Sequence, residues 1–274
     1  MTLAEEFAAF VARVPYTTVA LPWGEARVWE LGEGRPVVML HGIAGGRRVF
    51  FRICPLLAEG RRVIVPPLRG EDRPLARMDR EELLDDVAAL LETLGLSDVT
   101  LFGFSFGAHL ALAYAARNDP RVRDVVVAGG FVRYRLGIVD RLVMALSHVV
   151  PATLSSRYFV HRVLRGRESR LLAQHAPGME TLSAHWMGLT PFATLRARVR
   201  VIVRPGIEDL VRSIRVPLTV GHGELDPVVP VASARLLAGL HGSAHLKIWP
   251  QTGHLSILTS VGRVSDTFFD DATC

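Results

Sequence analysis

The sequence predicts an α/β fold: a mostly parallel central sheet flanked by helices on both faces, with an inserted helical cap. Three observations carry this expectation. Short continuous apolar runs such as residues 36–40 (PVVML) alternate with helical segments, as strands buried on both faces do. Residues 100–111 (TLFGFSFGAHLA) run apolar into a Gly-Phe-Ser-Phe-Gly turn and leave it in small, helix-favouring residues. Between residues 131 and 213 the alternation stops, and only helical segments broken by Pro and Gly remain. The core is therefore expected to span residues 1–130 and 214–274, and the cap residues 131–213.

The elements follow in order. Residues 3–13 form a short amphipathic helix closed by Pro15, and 17–21 with 26–31 form a hairpin split by Pro22-Trp23-Gly24. The strand 36–40 ends in the Gly-rich loop His41–Gly46, which lacks a Gly-Lys-Ser/Thr signature and so is not a phosphate cradle. Residues 49–57 are read as the crossover helix and 62–65 as the next strand. Residues 79–94 are the clearest helix: Leu83, Leu84, Val87, Leu90, Leu91 and Leu94 make one stripe, acids fill the first turns, and Gly95 ends it. A strand at 99–102, a helix at 106–117 and a strand at 122–128 complete the first half. In the cap, helices are expected at 139–149, 156–164 and 195–203. A strand at 217–220, a helix at 231–240, a strand at 245–249 and a closing helix at 257–269 then resume the core.

With 274 residues, 49% of them hydrophobic, the chain can bury one large core. Of 32 Lys and Arg residues, Lys247 is the only lysine, and the arginines are spread without a basic tail. This reads as compositional bias rather than a nucleic-acid footprint. Cys54 and Cys274 give neither a disulfide framework nor metal spacing. The N-terminal MTLAEEFAAF carries acids where an export signal needs basic residues, and no apolar run reaches the roughly 18–20 residues of a bilayer span. A cytoplasmic protein without stable membrane insertion is expected, and a homo-oligomer is left open.

The turn Gly103–Gly107 fits a strand–turn–helix that lifts Ser105 above the end of the sheet. A serine hydroxyl is a poor nucleophile at neutral pH, so it needs a base, and the base needs a carboxylate to orient it. In an open α/β sheet such partners sit just beyond the carboxyl ends of strands. Asp226 follows the strand at 217–220, with Glu224 as its near rival, and His254 follows the last strand. Of the other nine histidines, only His41 ends a strand, and it is read as shaping its own loop. Two N–H donors for an oxyanion are expected from Phe106, directly after the serine, and from Ile43.

With these motifs placed, the chain resembles the α/β-hydrolase fold superfamily over essentially its whole length. His41-Gly42 falls at the oxyanion loop, Gly103–Gly107 at the nucleophile elbow, residues 221–230 at the acid loop and Gly253-His254 at the base loop. The resemblance implies a hydrolytic Ser-His-Asp triad. The serine sets the chain apart from relatives with an aspartate nucleophile, such as haloalkane dehalogenases and epoxide hydrolases. One departure stands out. Relatives often carry Asp-x-x-Gly-x-Gly after the second parallel strand, whereas this chain has Pro at the Asp position and Glu71-Asp72 where the second glycine would fall.

Phe104 and Phe106 flank the serine, Gly42 adjoins it, and the cap offers Phe131 and Trp186 among many apolar residues. A small-molecule apolar acyl or aryl substrate follows, with no cofactor and no metal. Residues 138–150 are read as packing the cap rather than lying on a membrane. Most cap arginines, Arg133 to Arg170, are read as solvated, with one or two reaching the cleft toward an anionic group as the lesser alternative. The expected activity is hydrolysis of a small-to-medium ester through an acyl-enzyme on Ser105. A thioesterase or a C–C bond hydrolase of a diketone or keto acid could use the same triad, and a non-catalytic ligand-binding scaffold is the alternative of another class.

Overall fold

The structure, a computed structural model, describes residues 2–71, 73–146, 152–203 and 206–269. Its opening helix α1 (Leu3–Arg13) is started by a capping box between Thr2 and Glu5. Among the described residues eight strands form one sheet: β1 (Tyr16–Leu21), β2 (Gly24–Leu31), β3 (Arg35–Leu40), β4 (Arg61–Val65), β5 (Val99–Phe104), β6 (Val122–Ala128), β7 (Leu218–Gly223) and β8 (His245–Trp249). Their order across the sheet is β1-β2-β4-β3-β5-β6-β7-β8. The pairs β1·β2 and β2·β4 are antiparallel and every later pair is parallel. All six residues of β5, at the middle of the sheet, are buried.

Helices cover both faces. In α3 (Arg80–Thr93), the expected stripe is buried at Leu83, Leu84, Val87, Leu90 and Leu91, and Asp79 with Glu82 closes a capping box at its start. The helix after β5, α4 (Phe106–Ala115), has no polar face, and every one of its residues is buried, as a helix apolar all round must be. After β7 comes α11 (Val231–His241).

Two expected helices are divided. The segment 49–57 is a 3₁₀ turn (Gly46–Phe50) followed by α2 (Ile53–Leu57). Pro55 lies in the first turn of α2, where its missing N–H is not needed. The closing segment is α12 (Ser256–Thr259) and α13 (Val261–Phe269). Between them Ser260 leaves helical geometry, with its hydroxyl 3.1 Å from Thr252 Oγ1.

Between β6 and β7 the described residues form helices α5 (Ile138–Leu146), α6 (Ala152–Leu164), α7 (Arg167–His175), α8 (Met179–Gly188), α9 (Phe192–Val203) and α10 (Glu208–Ser213). The sequence reading marks this stretch as helical and bounds helices matching α5, α6 and α9, but gives no bounds for α7, α8 and α10. Residues 147–149 of the first expected cap helix lie outside the described residues. That helix also does not pack as expected on its outer face, where Ile138, Val139 and Leu142 are exposed. No helix among the described residues is long and apolar enough to cross a membrane.

Candidate active site

The carboxyl ends of β3, β5, β7 and β8 converge on one edge of the sheet. At the end of β5 the backbone turns sharply: Ser105 has φ 53° and ψ −108°, and its N–H donates to the Ala128 carbonyl at 2.9 Å. Such a conformation is costly for a residue with a side chain and persists only where its surroundings enforce it. The tight packing beneath it demands Gly107, since a Cβ there would collide with the Leu40 carbonyl.

The loop after β8 brings His254 to this serine. Its Nε2 lies 3.0 Å from Ser105 Oγ, and its Nδ1 lies 2.7 Å from Asp226 Oδ2. Asp226 is itself fixed, since its Oδ1 accepts the N–H groups of Val228 and Val229, both at 2.8 Å. His222, at the end of β7, donates from Nε2 to the Val229 carbonyl at 2.9 Å and braces the same turn. Glu224, the rival acid, is exposed and faces Gln251 N–H instead. Burial alone would lower the His254 pKa, but the carboxylates of Asp226 and Glu168 outweigh it and hold the imidazole above its usual value.

The loop after β3 is pinned from several sides. Arg198, on α9 and fully buried, donates from Nη1 to the Ile43 carbonyl at 3.0 Å and from Nη2 to the carbonyls of Leu68 (3.4 Å) and Arg69 (3.2 Å). Thr190 Oγ1 accepts the Gly45 N–H at 3.1 Å. His41 contacts the Gly42 carbonyl through Nδ1 at 2.8 Å and Glu71 Oε2 through Nε2 at 2.9 Å. Glu71, in the loop that departs from the family pattern, is thus a buried partner of His41, while Asp72 lies outside the described residues. Burial would raise its pKa, but His41, Arg47 and Arg198 pull it down to about 2.

A cavity of about 110 Å³ opens onto these groups. Gly42, Ile43, Phe104, Phe106 and Phe131 line it together with Ser105 and His254, so most residues singled out in the sequence meet there. Trp186 does not. It is 1% exposed and packs away from the cavity, with ring centroids 4.6 Å from Phe7 and 5.6 Å from Phe51. The expectation that it touches substrate is corrected: its bulk holds α8 against α1, and Met187 beside it faces the cavity. Of the arginines 133–170, Arg162 reaches the lining, with Nε 3.6 Å from Asp140 Oδ1. Arg133 pairs with Glu208 at 2.7 Å.

Residues 35–151 match the family model of the alpha/beta hydrolase fold. A 2-hydroxy-6-oxononadienedioate/2-hydroxy-6-oxononatrienedioate hydrolase of Pseudomonas putida is 30% identical over 257 residues, 82% of this chain and 83% of that protein. The chain is an α/β hydrolase. The hydrolase is also 27% identical to a 2-hydroxymuconate semialdehyde hydrolase of Pseudomonas sp. strain CF600, across 87% of both chains. In fold it is similar to an esterase from Thermogutta terrifontis, with a TM-score of 0.79 at 22% identity, over 93% of this chain and 97% of that one.

Two residues of the hydrolase's site escaped the sequence reading. Arg198 lies in the helix expected at 195–203, and no motif around it singles it out. Glu168 sits in the polar run RESR, yet both of its oxygens accept backbone N–H groups at 2.8 Å, one from His254 and one from Leu255. The helix of Glu168 is short and polar, with too few apolar residues to reveal its buried face, whereas in α9 an arginine on the buried face looks the same in sequence as one on the solvent side.

Proposed function

We propose that the hydrolase cleaves small or medium apolar esters through an acyl-enzyme on Ser105. The reading rests on the 3.0 Å and 2.7 Å contacts that run from Ser105 through His254 to Asp226. Ser105 Oγ attacks the carbonyl while His254 Nε2 takes its proton, and Asp226 holds the imidazole oriented and stabilises the imidazolium. The N–H groups of Ile43 and Phe106 receive the oxyanion. Phe106 begins α4, so its N–H has no partner within the helix. The imidazolium then protonates the leaving alcohol, and a water activated by His254 cleaves the acyl-enzyme. The apolar lining and the cavity of about 110 Å³ suit a short acyl or single-ring group, since a cavity of roughly 150 Å³ holds benzene.

Stopped-flow release of p-nitrophenol from short and medium p-nitrophenyl esters tests this. A stoichiometric burst is expected in the wild type and none in Ser105→Ala. A wild type with no burst and no fluorophosphonate label on Ser105 would refute the proposal.

A second reading, hydrolysis of a C–C bond in a 2-hydroxy-6-oxo acid, draws on the names of the Pseudomonas relatives and on the cation at Arg162. Under it, Arg162→Met raises KM for carboxylate-bearing substrates by about tenfold or more and leaves neutral esters unaffected. An unchanged KM for both would remove this reading.

A further inference from the structure

We infer that Glu168 is a positioning residue for His254, reaching from the helical insertion to clamp the base loop through the amides of His254 and Leu255. The inference rests on the proposed role of His254 as base. Glu168 is the second residue of α7, a helix with a largely polar sequence, yet it is completely buried. Its neighbours Leu171 and Leu172 anchor the same face in the core.

A buried carboxylate is costly unless it is paired or fully hydrogen-bonded. Among the described residues no Lys or Arg pairs with Glu168, and its two oxygens are held by the two amides at 2.8 Å. Gly253 makes the approach possible, because a Cβ there would fall on Glu168 Oε2 and lie 2.9 Å from Leu171 Cδ1. Burial raises the Glu168 pKa, the two amides and His254 oppose that rise, and the ionised carboxylate does two things at once. It fixes the backbone from which the imidazole projects, and it adds a second negative charge beside the ring that must become cationic. The other ionisable groups around His254 are Asp226 and His222 from the β7 end, and Tyr134, Asp140, Tyr158 and Arg162 line the same cavity.

The charge gives a readout that a merely structural clamp would not move. The base works as neutral imidazole, and a nearby anion favours the imidazolium, so removing the anion must shift the acid limb of kcat/KM to lower pH. In the full chain with p-nitrophenyl butyrate, Glu168→Gln is expected to lower kcat about 10- to 100-fold with KM nearly unchanged. It should also move the acid limb down by on the order of half a pH unit. Glu168→Asp keeps the charge but cannot span both amides, so kcat falls while the limb stays near its wild-type place. Wild-type kcat and an unmoved limb in Glu168→Gln would overturn the inference. Should that variant fail to fold, wild-type kcat in Glu168→Asp would overturn it instead. A wild type that shows no burst removes the triad reading and this inference together, whereas a bursting wild type with an indifferent Glu168→Gln removes the inference alone.

Discussion

Behind the loop that follows β3, a carboxylate and an imidazole have been taken into the core together, and both tie the fold to pH. Glu71 titrates at about 2 in the folded chain against 4.5 ordinarily, because His41, Arg47 and Arg198 outweigh its burial. Its contribution to stability is complete above about 4.5 and is lost as pH falls toward 2. Burial lowers the pKa of His41 from 6.5 against the opposing pull of Glu71, so protonating it weakens the fold as pH falls below that value. Both groups therefore weaken the fold in acid. Urea unfolding at pH 6 and at pH 3.5 should show the wild type losing more stability than Glu71→Gln over that interval; equal losses would refute the account. These residues also show what the sequence can carry at this scale. Ser105, Asp226 and His254 were legible because each follows a recognisable strand. His41 reads as shaping its loop, but its partner Glu71 carries no signal of its own, since a side-chain contact 30 residues apart leaves no local mark.

Among the elements, legibility followed the strength of the apolar pattern. The stripe of α3 and the apolar sequence of α4 named their helices without ambiguity, and the strands β3 and β6 were bounded by glycine or charge. The insertion was harder. α7 has two apolar residues on its buried face and α10 is six residues long, so neither repeats a period often enough to be seen. Trp186 illustrates the limit: nothing in the sequence marks its helix, so its direction cannot be inferred, and in the fold it packs α8 on α1 instead of lining the cavity. Trp186→Ala should accordingly cost about 3–5 kcal/mol of stability. It should leave the preference for acyl chain length as it is. A changed preference with intact stability, measured by urea unfolding and ester kinetics, would return the side chain to the substrate.

For the whole molecule, the α/β class and the mostly parallel sheet could be read from the alternation of runs, and so could the edge at which the chemistry gathers. The strand order could not, because nothing in the run of residues says that β3 lies between β4 and β5. One feature of that order bears on how the chain reaches its native state. β6 ends at Ala128, and its parallel partner β7 begins only at Leu218, after six helices among the described residues. Closing so long a loop adds little to the equilibrium cost, about 0.6 kcal/mol per doubling of length. It weighs instead on the rate, because contacts remote in sequence form late. Until the helices collapse, the segment Val125–Val126–Val127–Ala128 offers a bare, apolar parallel edge to any other unfinished chain nearby. Refolding yield should thus be lost to association between copies in this interval, and dilution rather than added stability is what would recover it.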